Sequence, residues 1–91
     1  MLVIAVGGLV TVRQRPETAG GTIFILLEDE HGVINVIVSR KMVEQNEEVV
    51  KRSPFLLVQG VLEKDGAVIS VVGKRFRALE AEVAGIRSRD F

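Results

Sequence analysis

The stretch TIFILLEDEHGVINVIVS, residues 22–39, carries the strongest structural signal in the chain. Two runs rich in Ile, Leu, Val and Phe lie on either side of the short polar turn EHG. Such runs are typical of β-strands, and a tight turn between them joins the strands into an antiparallel hairpin. The stretch therefore predicts two neighbouring strands, over residues 22–29 and 33–39.

Single polar residues indicate which side of each predicted strand faces out, because side chains alternate between the two faces of a strand. Asn35 would be costly in a core without a hydrogen-bond partner, and Glu28 would be costlier still. Counting by twos from Glu28 puts Phe24 and Leu26 on the outside. The other positions predicted outside are Val33 and Ile37, and those predicted inside are Ile23, Ile25, Leu27, Ile34, Val36 and Val38.

Three further strands and one helix are predicted around this hairpin. Before it, residues 3–13 form a long strand that Gly7 and Gly8 allow to bend between two sheets. After it, residues 40–51 have the apolar spacing of a short amphipathic helix, with Ser39 as its cap. Strands over residues 55–63 and 67–76, joined by a tight turn, complete the order. Three strands, a helix and two strands are typical of an all-β, five-stranded Greek-key OB-fold barrel.

The chain is predicted to be one domain, over residues 1–78, followed by a tail over residues 79–91. The segment ALEAEVA, residues 78–84, spans the start of the tail and is compatible with a short helix, and the tail ends in a polar stretch that we expect to be loose. An isolated domain of this size and composition is expected to be a monomer.

Composition excludes several classes of function. The chain has 91 residues, no cysteine and one histidine, so disulfides, thiolate chemistry and a zinc site are not expected. Residues 2–10 are apolar but far shorter than the ~20 residues that span a membrane, and a cytoplasmic location is expected. No Ser/His/Asp set or carboxylate pair suggests catalysis, and the acidic run 28–30 is interpreted as a solvent-facing turn. No metal or cofactor is therefore expected.

The outward positions converge on one patch, formed by the face of the second and third strands and the loop before them. In the first strand, Val10 and Val12 are predicted inside and Arg13 outside. An exposed phenylalanine can stack on a base, arginines can meet phosphates, and an asparagine can read a base edge. The predicted nucleic-acid-binding residues are Thr11, Arg13, Arg15, Phe24, Leu26 and Asn35, together with Arg40 and Lys41 at the start of the helix.

The residues leave other interpretations open. Phe24 could be a core residue, Asn35 a plain solvent-facing side chain, and the arginines ordinary solvated charges. With twelve basic and twelve acidic side chains, net charge does not select a partner. A protein-docking module could use Leu26, Val33 and Ile37 against a partner without binding nucleic acid. RNA or tRNA binding also stays open, because domains of this fold bind oligonucleotides of either kind, DNA or RNA.

The motifs RQRP, LEDE and SRDF, at residues 13–16, 27–30 and 88–91, occur together with a strand pair over residues 58–76. In this combination the chain closely resembles the carboxy-terminal oligonucleotide-binding domain of bacterial error-prone DNA polymerases, relatives of the polymerase III alpha subunit. The resemblance covers nearly the whole chain. It departs from the family pattern at Ser39 and Arg40, where the family has a Trp-Pro pair, and at Ser70, where the family has a histidine.

The resemblance implies a non-catalytic domain of a polymerase that copies damaged DNA. Its expected partners are single-stranded template DNA, the remainder of the polymerase, and accessory proteins, namely an inactive lesion-bypass polymerase homologue and a RecA-like protein. The polymerase carboxylates of this family lie in other domains.

Overall fold

The computed structural model describes residues 1–79. Along the chain, the elements are β1 (Val3–Gln14), β2 (Ile23–Asp29), β3 (Gly32–Val38), α1 (Arg40–Gln45), α2 (Glu47–Arg52), β4 (Phe55–Asp65) and β5 (Val68–Ala78). A single 3-10 turn, Glu17–Ala19, lies in the loop between β1 and β2.

The strands close into a barrel in the order β1-β2-β3-β5-β4, and β4 returns to β1. Only the β3 and β5 pair is parallel among the strand pairs of this barrel. β1 closes the barrel because it pairs with two strands. Val3 to Leu9 pair with β4, and Leu9 to Gln14 pair with β2. The predicted five-stranded OB-fold barrel with its helical connection between β3 and β4 is confirmed.

The bend of β1 lies at the predicted glycine pair. A Cβ on Gly8 would stand 2.5 Å from the carbonyl oxygen of Glu28, so only a glycine lets β1 cross β2 this closely. At Gly7 the nearest side-chain atom would be 3.4 Å away, which is an ordinary contact. The two glycines therefore differ in role, and Gly8 is the one that the closure of the barrel requires.

The core forms from alternate residues of the strands, as the period of two predicts. Burying each such side chain contributes about 1.5–3 kcal/mol. The helical connection covers one end of the barrel with Val43 and Val50. The buried core residues are Ile23, Ile25, Leu27, Val36, Val38, Val43, Val50, Leu56, Val58 and Val71.

The predicted single helix is observed as two short helices with a break at Asn46. The side-chain Nδ2 of Asn46 donates to the carbonyl oxygen of Met42 at 2.9 Å, and the backbone there leaves the helical region with φ −133° and ψ 35°. Asparagine favours such breaks because its side chain competes for backbone hydrogen bonds. The predicted cap is present, since the Ser39 hydroxyl accepts a hydrogen bond from the Met42 amide at 3.4 Å.

At the carboxy-terminal end, β5 continues through Ala78, and the Leu79 amide donates to the Phe55 carbonyl oxygen at 2.9 Å. Most of the predicted helix-compatible segment over residues 78–84 lies outside the described residues, which end at residue 79. The division into a domain over 1–78 and a tail over 79–91 stays a prediction.

Candidate nucleic-acid interface

A β-bulge at Thr11 changes which residues of β1 face outward. Val10 lies opposite Leu27, yet Val12 lies opposite Leu26, so one extra residue is present in β1. Directly opposed residues of an antiparallel pair share a face, and a slip of one residue moves all later side chains to the other face. Val12 therefore shares the outer face with Leu26. The Thr11 hydroxyl donates to the carbonyl oxygen of Leu26 at 3.3 Å.

The prediction that Arg13 shares the outer face with Phe24 is wrong, as is the inward placement of Val12. Arg13 lies opposite Ile25, which is buried. The physical reason is the bulge, which reverses the alternation that held up to Val10.

The guanidinium of Arg13 reaches the end of α2. Its Nε donates to the carbonyl oxygen of Val50 at 2.8 Å, and its Nη2 donates to the carbonyl oxygen of Ser53. Carbonyls at the last turn of a helix lack partners within the helix and carry the negative end of its dipole. Partial burial lowers the pKa of Arg13 from its ordinary value, although a guanidinium stays charged. Arg13 thus attaches the helical connection to β1.

Gln14 takes the outer position that the sequence assigned to Arg13. It lies opposite Phe24, and Phe24 lies opposite Ile37. Phe24 is 39% exposed, which confirms its predicted outward orientation, and Asn35 is also exposed as predicted. Leu26 and Ile37 are half-buried on the same face.

One row of side chains crosses all five strands on this face. Leu26 pairs with Val12 on one side and Asn35 on the other, Asn35 pairs with Ser70, and Ser70 pairs with Glu63. The row forms the floor and far wall of an open groove of about 600 Å³. We call this groove the strand groove. The residues that line it are Val12, Gln14, Phe24, Ile25, Leu26, Asn35, Val36, Ile37, Glu63, Asp65, Val68 and Ser70.

The charged side chains lining the strand groove, within the described part of the chain, are Glu63 and Asp65. The predicted cations Arg15 and Arg40 lie elsewhere, around a smaller depression beyond Gln14 that we call the basic rim. The basic rim is lined by Arg15, Gly20, Gly21, Arg40, Val43, Glu44, Glu47 and Lys51.

Carboxylates partly neutralise the basic rim. The Nε of Arg40 lies 3.1 Å from a Glu44 oxygen, and the Nζ of Lys51 lies 2.7 Å from a Glu47 oxygen. The hydrogen bond from Lys51 is the main cause that lowers the pKa of Glu47. Arg15 belongs to none of the ion pairs among residues 1–79, although its charge also helps to lower the pKa of Glu47.

Gly21 allows the loop between β1 and β2 to approach α1 closely at the basic rim. Gly21 has φ 95°, and a Cβ there would meet the Arg40 side chain at 3.0 Å. The loop between β1 and β2 therefore packs directly on the aliphatic part of Arg40 at the start of α1. Lys41, the remaining predicted site residue, is exposed on α1 and lines neither the strand groove nor the basic rim.

The acidic turn between β2 and β3 has a structural role. An oxygen of Asp29 accepts hydrogen bonds from the backbone amides of His31 at 2.7 Å and Gly32 at 3.0 Å. This is the turn-forming use of aspartate. Among residues 1–79, no three His, Asp or Glu side chains are grouped so that they could hold a metal ion. None of the helices described there is long and apolar enough to cross a membrane.

Sequence reasoning missed five residues of the strand groove that matter to its chemistry. Gln14 is part of the RQRP motif. Its outward orientation follows only from the bulge at Thr11, which reverses the alternation of side chains along β1. Ser70, Glu63, Asp65 and Val68 reach the groove through the parallel pairing of β3 with β5. The order of the elements in an OB-fold predicts that β3 pairs with β5, but the residues of the far wall follow only from the register that the structure shows.

Comparisons with known proteins agree with this geometry. The family model described as an OB-fold nucleic acid binding domain, of the tRNA anti-codon type, matches residues 4–79. The error-prone DNA polymerase of Anaeromyxobacter sp. (strain K) is 45% identical over 89 residues, which cover 97% of this chain and 8% of that protein. That of Pseudomonas aeruginosa is 44% identical over 90 residues, covering 97% and 9%. The chain thus spans 8 to 9% of the length of these relatives.

Solved structures share the fold at low sequence identity. Asparaginyl-tRNA synthetase from Pyrococcus horikoshii superposes with a TM-score of 0.70 at 19% identity, covering 98% of this chain and 24% of that one. A chain of a replication protein A heterotrimer bound to single-stranded DNA superposes with a TM-score of 0.68 at 15% identity, covering 91% and 62%. At these identities the likeness concerns the fold alone.

Proposed function

The chain belongs to the family of OB-fold nucleic acid binding domains, and from this premise we propose that it is a non-catalytic module that binds single-stranded DNA within an error-prone DNA polymerase. Its role there is to guide the template strand during synthesis past lesions. The sequence identity to error-prone DNA polymerases over 97% of the chain supports the polymerase context. The other parts of such a polymerase and its lesion-bypass accessory proteins are the proposed protein partners.

The observation that carries the proposal is the open strand groove with Phe24 exposed in it. Phe24 lies between Gln14 and Ile37 across the sheet, and Asn35 lies one row away. A base stacked on an aromatic side chain gains about 1–3 kcal/mol. Amide side chains such as those of Gln14 and Asn35 can hydrogen-bond to base edges. The groove therefore offers an apolar floor to bases and polar groups to their edges.

The charges favour a position for the phosphates outside the strand groove. Glu63 and Asp65 line the groove and would repel a backbone that entered it. The basic rim begins one residue beyond Gln14 along the chain with Arg15, which belongs to none of the ion pairs among residues 1–79. We expect a strand to lie with its bases in the groove and some of its phosphates near Arg15.

Exposed apolar side chains favour a second candidate function, docking of a protein partner without nucleic acid. Val33, Val68 and Ile69 are 59%, 55% and 52% exposed, and Val68 lines the strand groove. An apolar interface responds little to salt, whereas phosphate contacts make the affinity fall steeply as salt rises. Salt dependence therefore separates the two functions.

The proposal is tested by binding of a fluorescently labelled oligothymidine to the 91-residue chain, followed by anisotropy at low salt. Phe24→Ala should weaken binding by about 1–3 kcal/mol, because it removes the stacking surface. Ile69→Ala is the matched control, since Ile69 is similarly exposed but does not line the groove. No binding by the unaltered chain at low salt, or equal affinities of the chain and Phe24→Ala, would overturn the assignment.

A further inference from the structure

Ser70 is a buried polar residue that faces the strand groove. Its side chain lines the groove, and the residue is only 8% exposed. Its hydroxyl has no hydrogen-bond partner within residues 1–79. Buried hydroxyls are nearly always paired, so an unpaired one aimed into an open groove points to a polar group of a ligand.

Two side chains stand on either side of Ser70 in the same row. Asn35 is its neighbour on β3, and Glu63 is its neighbour on β4. Neighbouring strands are about 4.8 Å apart, so the three side chains span about 10 Å across the groove. That width leaves room for the polar edge of one base with a hydrogen bond at each end. Asp65 adds a second carboxylate one row away, opposite Val68.

The chemistry of this row favours one kind of base edge. Ionised carboxylates only accept hydrogen bonds, whereas hydroxyl and amide groups can adapt to either role. Cytosine presents an exocyclic amino donor at its 4-position, where thymine and uracil present an acceptor oxygen. An acceptor oxygen against Glu63 would be repelled, and an amino group would be held.

We propose that the strand groove selects cytosine over uracil or thymine and that Glu63 is the residue that sets this preference. The inference rests on the proposed function, since it concerns the bases of a strand bound in the same groove. Asn35 and Ser70 position the base edge, and Glu63 accepts the hydrogen bond from the amino group.

The test compares oligodeoxycytidine with oligodeoxyuridine of about twelve nucleotides, within the usual site size of an OB-fold. The two differ at the base edge but not by the thymine methyl group. Binding is measured by anisotropy at low salt and slightly alkaline pH, where cytosine tracts remain single-stranded. The 91-residue chain should bind the cytosine oligomer about five- to tenfold more tightly.

Glu63→Gln should bring the two affinities within about twofold of each other, because the carboxamide accepts and donates equally well. Glu28→Gln is the matched control and should keep the preference, since Glu28 is exposed on β2 and does not line the groove. Circular dichroism checks that both variants are folded.

Equal binding of both oligomers by the unaltered chain, or a preference unchanged in Glu63→Gln, would overturn this inference and leave the proposed function standing. Failure of both oligomers to bind would overturn the proposed function and the inference with it. Loss of the preference in Glu28→Gln as well would show a general charge effect and would also contradict the role of Glu63.

Discussion

Replacing Arg13 by methionine separates its structural role from a role in binding. The substitution keeps the unbranched stem and removes the two hydrogen bonds to the carbonyl oxygens of Val50 and Ser53. A hydrogen bond from a charged group contributes about 1.5–3 kcal/mol. Val50 is fully buried and Ser53 is 7% exposed, so their carbonyl oxygens have little access to replacement water. Because Arg13 itself is partly exposed, we expect a total loss of about 2–3 kcal/mol in the free energy of unfolding.

Urea unfolding followed by far-ultraviolet circular dichroism measures this loss, since the chain contains no Trp or Tyr for fluorescence. The matched control is Arg15→Met, which should change stability by less than about 0.5 kcal/mol. Oligothymidine affinity, measured where both variants are folded, should follow the opposite order. Arg15→Met should weaken binding, and Arg13→Met should leave it nearly unchanged.

The reverse pattern would refute this reasoning. If Arg13→Met were as stable as the unaltered chain and bound DNA weakly, Arg13 would belong to the binding face. The bulge at Thr11 would then not determine its role.

Two further predictions concern the closure of the barrel and the phosphate contacts. Gly8→Ala should lower the free energy of unfolding by about 1–3 kcal/mol, because the new Cβ would stand 2.5 Å from a carbonyl oxygen. Gly7→Ala should lower the free energy of unfolding clearly less in the same urea experiment. Equal losses would contradict the different roles given to the two glycines. Arg15→Ala should reduce the slope of log affinity against log salt by about 0.7, the value for one phosphate contact on a single strand. Arg52→Ala is the control, since Arg52 does not line the basic rim, and an unchanged slope in Arg15→Ala would remove Arg15 from the phosphate contacts.

The hairpin of β2 and β3 could be predicted from the sequence because its information is local. One polar residue in each strand indicates the orientation of its neighbours, and Ile25, Leu27 and Val36 are buried as that rule requires. The same rule placed Phe24 and Asn35 correctly on the outer face.

The bulge at Thr11 could not be predicted from the same rule. β1 must pair with β4 in its first half and with β2 in its second half, and the extra residue accommodates the change of partner. The sequence VTVRQR continues its alternation through this point without a breaker. Arg13 was therefore placed on the wrong face, and Gln14 was overlooked.

The far wall of the strand groove depends on contacts between distant parts of the chain. Ser70 comes beside Asn35 because β5 pairs with β3, and Glu63 comes beside Ser70 because β4 pairs with β5. Local patterns do not indicate that register, although the OB-fold order predicts the pairing itself. The break at Asn46 likewise depends on one side-chain hydrogen bond that helical spacing does not reveal.

The most direct test of the central claim, that the strand groove binds single-stranded DNA, is an amide NMR titration of the nitrogen-15-labelled chain with a short oligothymidine at low salt. We expect shifts to cluster on Gln14, Phe24, Asn35 and Ser70, with Arg13 little affected, and to diminish as salt is added. No shifts at about millimolar DNA, or shifts centred instead on Arg75 and Arg77 of β5, would contradict the claim.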